Sequence, residues 1–265
     1  MLYNSSEKKI LLSSGEVDYI TFGRGKKNLI MIQGLNTRGI RGAADSLAFM
    51  YRAFAKDYTV YLFDRRPNVF RGIGARDFAL DIAEAMDALG IKNADVFGVS
   101  QGGMIGQYLA ILRPDLVGKL VLAVTVARSN ETVEATIKGW IEMSEQGRMG
   151  ELVYDMAEKM YSDEYVKRYR PMMPLLTILQ KPKDVSRFVI LAESCLNCNA
   201  YDELEKIKCP TLVIGGAKDK VVGSSASYEI AEKIGCELYI YENLGHAAYE
   251  EAKDFNKRVL DFLLA

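Results

Sequence analysis

The chain of 265 residues contains one histidine, one tryptophan and four cysteines. No apolar run approaches the ~20 residues needed to span a bilayer. Its N-terminal stretch "MLYNSSEKKILLSSGE" holds no apolar signal core, so we expect a cytoplasmic protein with no membrane partner. Thirty-four Lys and Arg against 35 Asp and Glu leave a formal charge of −1. That balance offers no excess of positive charge to hold nucleic acid or an anionic surface. Cys195 and Cys198 form a C-x-x-C, a spacing used by zinc and redox sites. A zinc site needs two more ligands, yet Cys209 and Cys236 fall at expected strands and the chain has a single histidine. A thioredoxin-like site places the motif just after a strand near the N-terminus. We therefore read the cysteines as small buried hydrophobes.

What is present is an ordinary globular composition, 49% hydrophobic, with apolar runs and helical stretches in alternation. "VDYITFG" (17–23) alternates and is expected to pair antiparallel with "KILLSS" (9–14). Residues 28–34, 59–64, 94–99, 119–126, 210–216 and 237–242 are continuous apolar runs, as expected of strands covered on both faces. Between them, "DFALDIAEAMDALG" repeats Phe78, Ile82, Met86 and Leu89 at helical spacing and ends on Gly90. "GGMIGQYLAILRP" runs from glycines to Pro114, and "SSASYEIAEKIG" from serine cap candidates to Gly235. Residues 249–265 read as one last helix with a stripe of Phe255, Val259, Phe262 and Leu263. Such alternation predicts an α/β protein with a doubly wound, mostly parallel sheet. Residues 128–201 break the rhythm and are helical only, so we expect a cap inserted after the sixth strand, with 1–127 and 202–265 forming the core.

Gly98-Val99-Ser100-Gln101-Gly102 fits G-x-S-x-G where a strand meets a helix. A serine in so sharp a turn is held in strained backbone, and the flanking glycines make the turn sterically possible. Its hydroxyl then stands above the sheet edge, and the N–H of Gln101 points from a helix N-terminus toward developing negative charge. Serine is a weak nucleophile and needs a base. His246 follows the last expected strand, in a loop at the carboxyl edge where α/β sheets assemble sites. Asp219, in "VIGGAKDKVVG", is the acid best placed to orient that imidazole, although Lys218 and Lys220 also fit a solvated charge cluster. The order Ser100, Asp219, His246 is that of the α/β-hydrolases.

On these residues the chain resembles the α/β-hydrolase superfamily of serine hydrolases nearly end to end. "DFALDIAEAMDALGIKNADVFGVSQGGMIGQYLAILRPDLVGKLVLAVT" is similar to the family's helix, strand, nucleophile elbow, helix and next strand. "LEKIKCPTLVIGGAKD" resembles the approach to the acid, and "LGHAAYEEAKDFNKRVLDFL" the histidine loop and last helix. The resemblance implies an eight-stranded, mostly parallel sheet with a helical cap. It also implies a second oxyanion donor after the third strand, so the expected donors are the backbone N–H groups of Leu35 and Gln101. Two departures stand out. Gln33-Gly34-Leu35 replaces the usual His-Gly-x, and "DRRPNVFRGIG" replaces Asp-x-Arg-Gly-x-Gly after the fourth strand. The "GGMIGQ" run is similar to lactone hydrolases and small esterases.

The expected activity is hydrolysis of an ester, lactone or related acyl substrate through an acyl-enzyme, with Ser100, Asp219 and His246 catalytic. No metal or organic cofactor is required. The expected partner is a small, at least partly apolar acyl molecule; oligomeric state is not legible. A ligand receptor on the same fold, an acyltransferase and a carbon–carbon bond hydrolase use similar residues and stay open. An aspartate nucleophile is disfavoured because serine occupies the elbow. The insertion's methionines and Trp140 suit either a lid over an apolar substrate or ordinary helix packing. Asn36 and Arg38 could meet a polar or anionic substrate group, or simply face water.

Overall fold

The computed structural model describes residues 1–265, the side chains of Leu176 and Thr177 excepted. Eight strands form one sheet: β1 (Ser6–Leu12), β2 (Gly15–Gly23), β3 (Lys27–Ile32), β4 (Tyr58–Phe63), β5 (Ala94–Val99), β6 (Val117–Ala123), β7 (Thr211–Gly216) and β8 (Glu237–Tyr241). Their order is β1-β2-β4-β3-β5-β6-β7-β8. The β1–β2 hairpin and the β2–β4 pair are antiparallel, and every other pair is parallel.

The continuous apolar runs follow from the strand period of two. Ile30, Ile32, Val96, Leu120, Leu122 and Val213 point into one core layer. Their neighbours Leu29, Met31, Phe97, Val121, Ala123, Leu212 and Ile214 point into the other. A strand that feeds two cores has no polar face to show. Helices α1 (Ala44–Met50), α2 (Ala75–Ala88) and α3 (Gln101–Leu112) lie in the first half of the chain. Helix α2 ends as its sequence predicts, with Gly90 at φ +67.

Five helices stand between β6 and β7: α4 (Glu131–Glu145), α5 (Met149–Met160), α6 (Asp163–Tyr169), α7 (Met173–Gln180) and α8 (Val185–Leu196). The segment leaves and rejoins the sheet through one bridge, Arg128 with Asn199, and the Ala200 N–H donates to the Ala127 carbonyl at 2.7 Å. No helix among the described residues is long and apolar enough to cross a membrane.

Three local expectations need correction. The run 119–126 does not stay extended to Val126, because β6 ends at Ala123 and Val124 turns to φ +45. The turn brings the Thr125 hydroxyl to the Ser100 carbonyl at 2.7 Å. The expected last helix is two, α10 (Ala248–Glu251) and α11 (Phe255–Leu264), separated by extended backbone at Ala252. The break leaves α10 against the cap, where Ser162 bonds Glu251, while α11 sends Phe255, Val259 and Leu263 into the sheet. Ser224 does precede α9 (Ser225–Ile234), but its side chain makes no cap hydrogen bond.

Candidate active site

Ser100 sits between β5 and α3 at φ +54 and ψ −120, a conformation a side chain rarely tolerates. Close packing imposes it. A Cβ on Gly98 would meet the Gly102 carbonyl oxygen at 2.4 Å, and one on Gly102 would meet the Ile32 carbonyl oxygen at 1.9 Å. Glycine at both positions lets α3 approach β3 and β5 closely enough to force the turn. The Ser100 carbonyl, in turn, accepts from Gly103, Met104 and Thr125.

Two further loops bring their residues to this point. His246 Nε2 lies 3.0 Å from Ser100 Oγ, and His246 Nδ1 lies 2.8 Å from Asp219 Oδ2. Both His246 and Asp219 are buried. Asp219 is not a solvated member of the lysine cluster around it. Its Oδ1 accepts from the Val221 and Val222 N–H groups at 2.8 and 2.9 Å, so the carboxylate is fixed at both oxygens. The first cap helix braces that loop: Asn130 Nδ2 donates to the Val222 carbonyl at 2.9 Å.

The loop after β3 crosses directly over the serine. A Cβ on Gly34 would stand 3.2 Å from Ser100 Cβ and 3.7 Å from its Oγ. Leu35 follows it and lines the cavity at Ser100. Gln101 is the first residue of α3, where backbone N–H groups have no partner within the helix. Helix N-terminus and loop thus face the same small volume.

The residues that hold this loop were missed in the sequence. Arg65, buried and the second residue after β4, donates from Nη2 to the Gln33 carbonyl at 2.6 Å. It also donates from Nη2 and Nε to Gln101 Oε1 at 3.1 and 3.3 Å. The Gln101 amide nitrogen donates onward to the Leu191 carbonyl and Ser194 Oγ of α8. Burial pulls the Arg65 pKa down to about 10. Asp64 completes the frame by accepting from the Ile40 and Arg65 N–H groups. Arg65 therefore clamps the Gln33 carbonyl from behind. The Gln33 side-chain nitrogen is enclosed without a hydrogen-bond partner.

A cavity of about 40 Å³ adjoins Ser100 and His246, with Met104, Ile137, Trp140 and Met156 among its apolar walls. The Trp140 N–H finds a carboxylate, Asp155 Oδ2, at 2.7 Å. Leu35, Met156 and Met160 also border a larger cleft of about 450 Å³ between cap and core. Asn36 lines that cleft, whereas Arg38 is exposed to solvent. The thiols of Cys195 and Cys198 are buried, which pushes each up to about 12 and keeps both protonated. No group of three or more metal-ligating side chains occurs among the described residues.

A mixed, mostly parallel sheet with a serine at the β5–α3 turn and an acid and a histidine after β7 and β8 defines the class. The chain belongs to the α/β-hydrolase family, described as "alpha/beta hydrolase fold", which it matches over residues 27–253. A 2-hydroxy-6-oxononadienedioate/2-hydroxy-6-oxononatrienedioate hydrolase of Pseudomonas putida is 27% identical, over 98% of this chain and 96% of that one. An alpha/beta hydrolase enzyme from a Medee basin deep-sea metagenome library superposes with TM-score 0.87 at 21% identity, over 97% of this chain and 98% of that one. The enol-lactonase from Burkholderia xenovorans LB400 gives TM-score 0.84 at 21% identity, over 97% and 100%. Named relatives of nearly full length are hydrolases, which supports a hydrolase acting on a small molecule on this scaffold.

Proposed function

We propose that this protein is a serine hydrolase cleaving a carboxylic ester, lactone or related acyl substrate through an acyl-enzyme. The observation that carries the reading is the relay of 3.0 and 2.8 Å from Ser100 Oγ through His246 to Asp219 Oδ2. Ser100 Oγ attacks the carbonyl carbon while His246 Nε2 takes its proton. Asp219 holds the proton on Nδ1 and stabilises the imidazolium that forms. The carbonyl oxygen gains negative charge and is received by the N–H groups of Leu35 and Gln101, each such donor being worth ~3 kcal/mol in the transition state. His246 then protonates the leaving group, and a water activated by the same imidazole releases the acid. No step uses a metal or an organic cofactor.

Residues 128–201 act in this reading as a lid, and its Met156, Met160 and Trp140 form the roof of the acyl pocket. The cavity at Ser100 holds a few water-sized volumes, enough for a short acyl group. The Pseudomonas putida relative acts, by name, on a dioate. No lysine or arginine lines either cavity near Ser100 among the described residues, so the dianionic substrate is not carried over to this chain. The test is steady-state hydrolysis of p-nitrophenyl acetate and butyrate. Wild type turns over repeatedly, and Ser100→Ala, still folded by circular dichroism, does not. Undiminished turnover in that variant would overturn the assignment.

A further inference from the structure

The 450 Å³ cleft that shares Leu35, Met156 and Met160 with the cavity at Ser100 carries one acidic side chain, Glu250, and no basic one among the described residues. Glu250 is on α10, four residues beyond His246. Its side chain is exposed, and besides this cleft it lines a neighbouring cavity of about 190 Å³. Tyr161 Oη donates to its Oε2 at 2.6 Å. Tyr249 hydrogen-bonds the same carboxylate. The carboxylate charge is felt by four tyrosine hydroxyls, those of Tyr51, Tyr161, Tyr165 and Tyr249. No lysine or arginine among the described residues forms an ion pair with Glu250. An aromatic wall stands beside it: the Tyr161 and Tyr165 rings stack at 4.3 Å, and Tyr169 follows at 4.4 Å.

An accessible carboxylate on a cleft that holds no basic side chain among the described residues makes the cleft complementary to a cationic ligand. One carboxylate is too few for calcium or magnesium, which take several hard oxygen ligands. An organic ammonium asks for what is present: one negative charge, aromatic rings and polarizable thioethers to replace its weak hydration. We propose that Glu250 and the tyrosines around it form an ammonium-binding subsite, so that the preferred substrates are acyl compounds bearing a positively charged nitrogen remote from the scissile bond. This rests on the hydrolase reading above. It adds to that reading a specificity determinant outside the reacting groups.

Two isostere pairs test it. In one the charge is on the acyl side: p-nitrophenyl 4-(trimethylammonio)butanoate against p-nitrophenyl 5,5-dimethylhexanoate. In the other it is on the leaving side: S-butyrylthiocholine against S-(3,3-dimethylbutyl) thiobutyrate. Wild type is expected to favour the cation roughly tenfold or more in kcat/KM in at least one pair, chiefly through KM. In Glu250→Gln, whose amide oxygen can still accept from Tyr161, the ratio falls toward one. Equal use of cation and isostere in both pairs by wild type, a ratio needing no variant, would sink the subsite. So would a preference that survives Glu250→Gln. If cation and isostere are cleaved equally and Ser100-dependently, the hydrolase stands and only the subsite fails. If no ester turns over, calorimetry with 4-(trimethylammonio)butanoate decides. Binding by wild type and not by Glu250→Gln supports the subsite while the hydrolase reading fails, and absent or equal binding overturns the subsite.

Discussion

Replacing Arg65 with methionine separates the oxyanion loop from the support beneath it. Arg65 is 5% exposed, and its guanidinium satisfies two acceptors, the Gln33 carbonyl and Gln101 Oε1. Gln101 cannot turn to find another donor, because its amide nitrogen is held by Leu191 and Ser194 of the cap. Each orphaned buried acceptor costs about 1–3 kcal/mol, so the pair costs roughly 2–6 kcal/mol. Against this, burial holds the guanidinium pKa down at about 10, a desolvation penalty of about 3 kcal/mol that methionine does not incur. The net change in unfolding free energy is therefore small, within about 3 kcal/mol of wild type. Activity has no such offset. With the Gln33 carbonyl released, the adjoining Gly34–Leu35 backbone loses its fixed aim, and the ceiling is the loss of one oxyanion donor, about 10²–10³ in kcat. The assay pairs urea unfolding with kcat and KM on p-nitrophenyl butyrate. We expect kcat to fall at least about tenfold with a modest loss of stability. A variant with wild-type kcat would refute the role given to Arg65.

Two other outcomes follow from the same coordinates. Asp219→Asn leaves an oxygen to accept from Val221 and Val222 but loses the acceptor that fixes the imidazole tautomer, so kcat should fall about 10³–10⁴-fold with unchanged circular dichroism. A fall of less than tenfold is incompatible with the relay. Gly102→Ala places a methyl 1.9 Å from the Ile32 carbonyl oxygen and 2.8 Å from that of Gln33, which forces α3 off β3. The expected loss is about 2 kcal/mol or more, read as a lower urea midpoint, and an unshifted midpoint contradicts it.

The fold was legible because its central strands announce themselves: runs such as Leu29–Ile32 serve two cores at once and hold no polar residue. Ser100, His246 and Asp219 could be picked out for a related reason, since Ser100 directly follows one such run, His246 lies four residues beyond the end of another at Glu242, and Asp219 three residues after the end of a third. The supports of the site left no comparable trace. Arg65 meets Gln101 across 36 residues and Gln101 meets Leu191 across 90, and neither spacing belongs to a helix or strand period. "YEE" opens the stretch that reads as the last helix, and only the tertiary fold turns Glu250 toward a cleft lined by tyrosines. The same holds for the break between α10 and α11. No proline or glycine marks it, and it exists because one half packs on the cap and the other on the sheet.

The most direct test of the central claim is intact-mass and peptide mapping after exposure to a fluorophosphonate, which phosphonylates an activated serine with loss of fluoride. The account predicts one adduct per chain, on Ser100 Oγ, strongly slowed in Asp219→Asn and absent in Ser100→Ala. An unmodified Ser100 in folded wild-type protein, or equal labelling of Ser100→Ala, would contradict it.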